Sequence, residues 1–245
     1  MKFVTCGYMR AGALSLCTFL VVAAASAADH PVQPANYPQS LEQEITILLE
    51  SHAQESSDPK LLIKLADLYL DVGNDLYPDP EKRLAAYEEG ARLAQRALAL
   101  EEASAQAHFL YAANLAEAAS LRGVAESFLS LEELRTHVTR ALELEKDHIP
   151  SLHMAGMMLE GMPGFLGGNP DAALRYLKRV IALDPAYAEA RLNLARMYLK
   201  RKDADLARQE LLAIVNMDHP RNPYGWAKRQ RPEAEQLLDS LKPPK

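Results

Sequence analysis

The stretch Ala188-Glu-Ala-Arg-Leu-Asn-Leu194-Ala195-Arg-Met-Tyr198-Leu-Lys-Arg-Lys-Asp-Ala-Asp-Leu-Ala207-Arg-Gln-Glu-Leu211-Leu-Ala-Ile-Val-Asn-Met-Asp-His-Pro220 decides how this chain is read. Counted from Ala188, Leu194 stands at position 7, Ala195 at 8, Tyr198 at 11, Ala207 at 20 and Leu211 at 24. Apolar residues three and four apart mark two amphipathic helices joined by a short polar turn. Small side chains at 8 and 20 let the two helices approach closely. Large ones at 7, 11 and 24 fill the space between them.

That spacing resembles the tetratricopeptide repeat (TPR), a helix-turn-helix unit of about 34 residues. Counting backwards, a second helix runs from Asn169-Pro170 to Asp184-Pro185 with Ala173, Leu177 and Val180 in register. Its partner spans Ile149 to Glu160, with Ala155, Gly156 and Leu159 at 7, 8 and 11. Residues 105–146 give a weaker unit from Tyr111, Ala112 and Leu115, then Leu134, Val138 and Ala141. Residues 59–102 give another from Leu62, Leu65, Ala66 and Tyr69, then Gly90, Ala94 and Ala97. Both carry extra residues between their helices, in the first unit around Leu76 to Pro80. No stretch shows strand alternation. The expected fold is all-α: a right-handed α-solenoid of four irregular TPR-like pairs, led by a helix at about Leu41 to Gln54 and closed by one at about Arg231 to Leu241.

The chain opens with Lys2 and Arg10, then an apolar run from Ala11 to Ala25 ending in Ala25-Ser26-Ala27, the layout of a cleavable signal peptide. The expected organisation is a signal peptide at 1–27, an extended Pro-containing leader at 28–38, one TPR-like domain at 39–242 and a tail at 243–245. A retained membrane anchor is the competing reading. Lipidation of Cys17 is disfavoured, because Leu16 stands where a lipoprotein signal has a small residue. The expected location is therefore periplasmic or secreted after cleavage near Ala27. Cys6 and Cys17 both lie in that segment, so cleavage would leave no thiol. The whole chain has 27 basic and 33 acidic residues, and an acidic balance argues against a nucleic-acid partner.

The seven histidines are scattered, and no His-x3-His spacing suggests a metal. Glu88-Glu89, Glu101-Glu102 and Glu132-Glu133 are adjacent pairs that point to different sides of a helix. The Gly-rich segment Gly161 to Pro170 lacks the Lys and Ser/Thr of a P-loop and follows a helix. No nucleophile elbow or dinucleotide fingerprint appears. No catalytic residue, metal or cofactor is expected, and the chain does not read as an enzyme.

Binding is the remaining chemistry. In TPR arrays a fixed set of positions on each first helix lines the concave surface, and here they include Ile63, Asp67, Phe109, Ala113, His153, Met157, Glu160, Leu192 and Arg196. Ile63 and Asp67 stand where carboxylate-clamping TPR domains carry polar and basic residues, so that mode is unlike this chain. The apolar members suit a protein segment, a peptide or an apolar ligand; alternatively they pack against a capping helix. The second candidate is the loop Gly164, Phe165, Leu166, Gly167, Gly168 and Asn169, since insertions in repeat proteins gather on one face. Drift under relaxed packing is its plain alternative.

A signal-like leader, irregular TPR units and the Pro163-to-Pro170 turn before a helix carrying Ala173, Tyr176 and Leu177 together resemble the T component associated with tripartite ATP-independent periplasmic (TRAP) transporters. That resemblance implies a periplasmic accessory protein that forms homo-oligomers, engages a substrate-binding protein and handles an apolar small molecule.

Overall fold

The structure, a computed structural model, describes residues 33–242. Four of its helices begin where the sequence supplies both a cap and a preset backbone angle. Asp58-Pro59, Asp79-Pro80, Asn169-Pro170 and Asn222-Pro223 each place an acceptor at the N-cap and proline in the first turn. Asp58 accepts from the Lys60 amide at 2.9 Å, Asp79 from Glu81 at 2.8 Å, Asn169 from Ala172 at 3.0 Å and Asn222 from Gly225 at 2.8 Å. Proline has no N–H to leave unsatisfied there and its fixed φ suits a helix, so each dipeptide is a locally read start signal.

Helix α1 (Ser40–Glu50) precedes four pairs: α2 (Pro59–Asp71) with α3 (Pro80–Leu100), α4 (Ala105–Arg122) with α6 (Leu131–Leu144), α7 (Ile149–Gly161) with α8 (Pro170–Leu183), and α9 (Ala188–Lys200) with α10 (Ala204–Val215). The extra residues of the second pair form a short helix, α5 (Val124–Leu129); those of the first form a wide turn at Val72–Leu76 and a loop. A closing helix is built from α11 (Pro223–Gly225), a wide turn at Trp226–Gln230 and α12 (Arg231–Ser240). There is no strand among the described residues, and the all-α TPR-like solenoid is the observed fold. Two boundaries shift. The leading helix stops at Glu50 because His52 takes a left-handed conformation, φ 57°. The closing helix starts at Pro223, ahead of the expected Arg231, because Asn222-Pro223 is itself a start signal.

The repeat register sets the burial. Leu194 is 1 % exposed and Ala195, Ala207 and Leu211 are 0 % exposed; burying each leucine contributes on the order of 1.5–3 kcal/mol. Gly90 shows how close the helices come. A Cβ there would lie 2.3 Å from Oδ1 of Asn114, whose Nδ2 donates to the carbonyls of Ala66 (3.2 Å) and Leu110 (2.9 Å) and so ties α4 to α2.

The stack curls until its two ends touch. Asp75 lies at the meeting point, its side chain 1 % exposed. It accepts from the Tyr37 hydroxyl at 2.5 Å and from Arg229 Nη1 at 2.6 Å, and its carbonyl accepts from the Tyr224 hydroxyl at 3.3 Å. The Gln33 amide accepts from Tyr224 N at 2.9 Å and donates to Asn222 Oδ1 at 3.1 Å. The rings of Tyr37 and Tyr224 meet edge-on at 5.3 Å.

Candidate functional site

The first helices of the four pairs surround a hollow that this closure narrows. Asp67 of α2, Glu117 of α4, His153 of α7 and Glu189 of α9 lie within electrostatic reach of one another or of Arg221, in the linker before α11. Burial pushes the Asp67 carboxyl up, with Arg221 drawing it back; it pushes Glu117 up, with Arg83 opposing and Glu189 adding. Burial holds His148 and His153 down, and Arg221 adds to both. Asp71 is pushed up to about 8 by burial and then by Asp67, Asp75 and Glu44.

The hollow's polar groups are positioned. Asn193 Oδ1 accepts from Arg196 Nη1 at 2.8 Å, which turns its Nδ2 to donate to His153 Nε2 at 3.0 Å. The His153 proton then sits on Nδ1, facing the Tyr187 hydroxyl at 3.4 Å. Both ring nitrogens are engaged. Arg221 Nη1 binds Asp184 Oδ2 at 2.9 Å, its guanidinium lies 5.1 Å over the Tyr187 ring, and its backbone N–H donates to the Ala186 carbonyl at 3.0 Å. The Asp184 side chain is 1 % exposed, and its other oxygen caps the Ala186 amide at 3.0 Å. Tyr187, Glu189, Arg221, Asn222 and Gln230 line a cleft of about 140 Å³ beside this ion pair.

The residues expected to line the groove divide into two sets. Ile63, Phe109 and Ala113 pack, half-buried, on the first core, with Phe109 5.7 Å from the His148 ring. Asp67 opens to the hollow, His153 lines it buried, and Met157 packs half-buried on the core of the third and fourth pairs. The rest are taken up by the fold. Glu160 pairs with Lys200, Leu192 is buried in the core shared with α12, and Arg196 makes a two-pronged bond to Glu233 of α12. The closing helix thus covers the last part of the groove.

The Gly-rich loop is one 3-10 turn, Gly164–Leu166, with Phe165 88 % exposed. Gly168 is required by close approach, since a Cβ there would lie 1.8 Å from the Met162 carbonyl. The loop meets the α5 insertion: Phe128, Leu129, Arg135, Phe165 and Leu166 line one shallow depression, and Arg135 Nη2 donates to the Leu166 carbonyl at 3.0 Å. Beyond Arg135 a second cleft, of about 390 Å³, is walled by Val138, Leu142, Met158, Leu159, Met162 and Tyr176. The first insertion goes elsewhere, to the closure at Asp75.

Sequence reading did not pick out Arg221, Asp184, Asp75 or Tyr224. The Asn222-Pro223 start signal was the available clue, since it makes the segment before it a linker between helices. It also missed His108 and His137, on facing helices with their Nδ1 atoms 2.9 Å apart. No group of three His, Cys, Asp or Glu that could hold a metal occurs among the described residues.

A family model described as Regulator of microtubule dynamics protein 1-3 matches residues 33–158, and a tetratricopeptide-repeat model matches residues 165–231. Regulator of microtubule dynamics protein 1 of Pongo abelii is 29% identical over 239 residues, covering 90% of this chain and 75% of that protein. Its namesake in Bos taurus is 28% identical over 186 residues, covering 69% of this chain and 58% of that protein. Among solved structures, a thermophilic TPR protein of Thermus thermophilus superposes with a TM-score of 0.59 at 16% identity, covering 83% of this chain and 91% of that one, which supports the fold. These findings overturn the periplasmic or secreted location and, with it, a periplasmic substrate-binding protein as partner, because the curated relatives come from animals, whose cells have no periplasm. The signal peptide expected at 1–27, with its cleavage site near Ala27 and Cys17, lies outside the described residues. With the family model spanning residues 33–158, the chain belongs to the family of regulators of microtubule dynamics 1-3, built on tetratricopeptide repeats.

Proposed function

We propose that the protein is a non-enzymatic scaffold that holds a segment of a protein partner against its concave surface. The observation that supports this is the convergence of the first helices of the four pairs on one hollow, where Asp67, Glu117, His153 and Glu189 lie within electrostatic reach of one another or of Arg221, with Phe109 against the His148 ring and Met157 half-buried on the adjoining core. An apolar wall with a few fixed polar groups is the composition of a peptide-binding groove. The relatives are named for regulating microtubule dynamics, and we place the partner in that setting. Capture of partners by the purified chain, compared with Phe109→Ala and Met157→Ala, tests the assignment: the partner is lost by both variants. A partner retained equally by all three overturns it.

A second reading has its own support. The 390 Å³ cleft walled by Met158, Met162, Leu142 and Tyr176 suits an apolar small molecule, as the T-component resemblance suggested, and methionines adapt their shape to such guests. Ala155→Phe fills this cleft and abolishes binding of a fluorescent fatty acid; binding that persists rejects this reading. Self-association belongs to the same proposal and is read by light scattering across a dilution series.

A further inference from the structure

Resting on the concave-surface reading, we infer that the partner segment held there is basic, and that its lysine or arginine side chains pair with Asp67 and Asp71 of α2 and Glu117 of α4. Helix register puts these carboxylates on one surface. Asp67 and Asp71 stand four residues apart, on successive turns of α2. Glu117 follows by four residues Ala113 of α4, the position that matches Asp67 in the next repeat. Asp71 and Glu117 are therefore equivalent positions on neighbouring first helices. Glu189 of α9 adds its charge within electrostatic reach of Glu117.

These four carboxylates stand apart from the other concave charges. Toward α12, Glu160 is met by Lys200 and Arg196 by Glu233. Among the described residues, Asp67, Asp71, Glu117 and Glu189 make neither a hydrogen bond nor an ion pair. The arginines nearby are held by other acceptors. Arg83 donates to the Gly73 carbonyl at 3.1 Å and the Tyr87 hydroxyl at 3.3 Å, Arg221 to Asp184 at 2.9 Å and Arg229 to Asp75 at 2.6 Å. Arg83 and Arg221 act on Glu117 and Asp67 at a distance, without a bond. Protein encloses Asp67, Asp71 and Glu117 closely enough to push all three carboxyls up, and no cation inside the chain offsets this. An entering ammonium or guanidinium supplies the missing donor and the missing charge together. Half-buried Ile63 and Phe109, one turn before Asp67 and Ala113, offer an apolar surface to its aliphatic stem. An acidic segment would meet only like charge.

Anisotropy of dye-labelled peptides against the full chain tests this. Three probes repeat Lys-Pro-Leu, Gln-Pro-Leu or Glu-Pro-Leu over about twelve residues, the proline holding the residue before it extended. The lysine peptide binds about tenfold or more tighter than the glutamine peptide in low salt, as charge-assisted hydrogen bonds allow, and the glutamate peptide does not bind. Asp67→Asn combined with Asp71→Asn removes the lysine preference. Removing two charges from exposed positions on second helices, Glu81→Gln with Asp205→Asn, leaves it intact. Circular dichroism confirms that the variants are folded. A lysine preference that survives the α2 substitutions, or falls equally in the second-helix control, overturns the basic segment. So does a lysine peptide that does not bind. Equal binding of the lysine and glutamine peptides, lost in Phe109→Ala, overturns the basic segment and leaves the concave-surface reading standing. If neither peptide binding nor partner capture responds to Phe109→Ala, both fall.

Discussion

Replacing Gly90 by alanine inverts the usual rule for helices. In the interior of α3 the exchange should gain about 1 kcal/mol from helix propensity alone. Here the new methyl would lie 2.3 Å from Oδ1, 2.6 Å from Cγ and 2.8 Å from Nδ2 of Asn114, whose side chain is fully buried. Either the helices part, at about 1–3 kcal/mol for overpacking, or Asn114 turns away and abandons its bonds to Ala66 and Leu110, each worth about 1 kcal/mol with further cost for buried groups left unpaired. The net expectation is destabilisation by about 2 kcal/mol. With an m-value of about 2–3 kcal/mol/M in urea, the midpoint followed by circular dichroism falls by about 0.7–1 M. In an Asn114→Ala background the clash is gone, so there the glycine-to-alanine change becomes stabilising by about 1 kcal/mol. A midpoint that stays level or rises in the single variant refutes the packing argument. So does a penalty that persists in the double variant.

Asp71, with its carboxyl raised to about 8, favours its protonated form in the fold. Its stabilising contribution is complete below the ordinary carboxylate range and is lost as pH rises through about 8, so Asp71→Asn melts higher than wild type at pH 9 and the gap narrows at pH 5; an equal gap at both pH values contradicts this. Leu177→Ala, at a site with 0 % exposure, costs about 2–5 kcal/mol in urea unfolding, whereas Leu212→Ala, 43 % exposed, costs under about 1 kcal/mol. Phe165→Ser changes stability by less than about 0.5 kcal/mol but reduces binding of an apolar dye; a large loss of stability would mean that the loop is part of the core.

How much could be read from the chain depended on sequence distance. The four pairs, their small and large positions and most helix starts were legible because caps, prolines and three-to-four spacings act within a few residues. Asp67, Phe109, His153 and Met157 were assigned to the concave surface by counting along the same local register. Closure of the ends was not legible. Curvature accumulates from the packing angle at every junction, and no local pattern encodes its sum. Leu192 and Arg196 were counted as groove residues by register, yet α12 covers them because the closing helix starts early enough to bring Glu233 over Arg196. The meeting of α5 with the Gly-rich loop also depends on how two adjacent pairs stack.

The bonds that close the ends join residues 149 to 191 positions apart, whereas the pairs themselves form from near neighbours. Near contacts form fast and distant ones late. During synthesis, which proceeds from the N-terminus at about 5–20 residues per second, the first three pairs leave the ribosome before Arg221 exists. The newborn protein therefore passes through an interval of several seconds with Asp75 and the hollow open, a window in which another chain could be taken up before the protein's own last helix arrives.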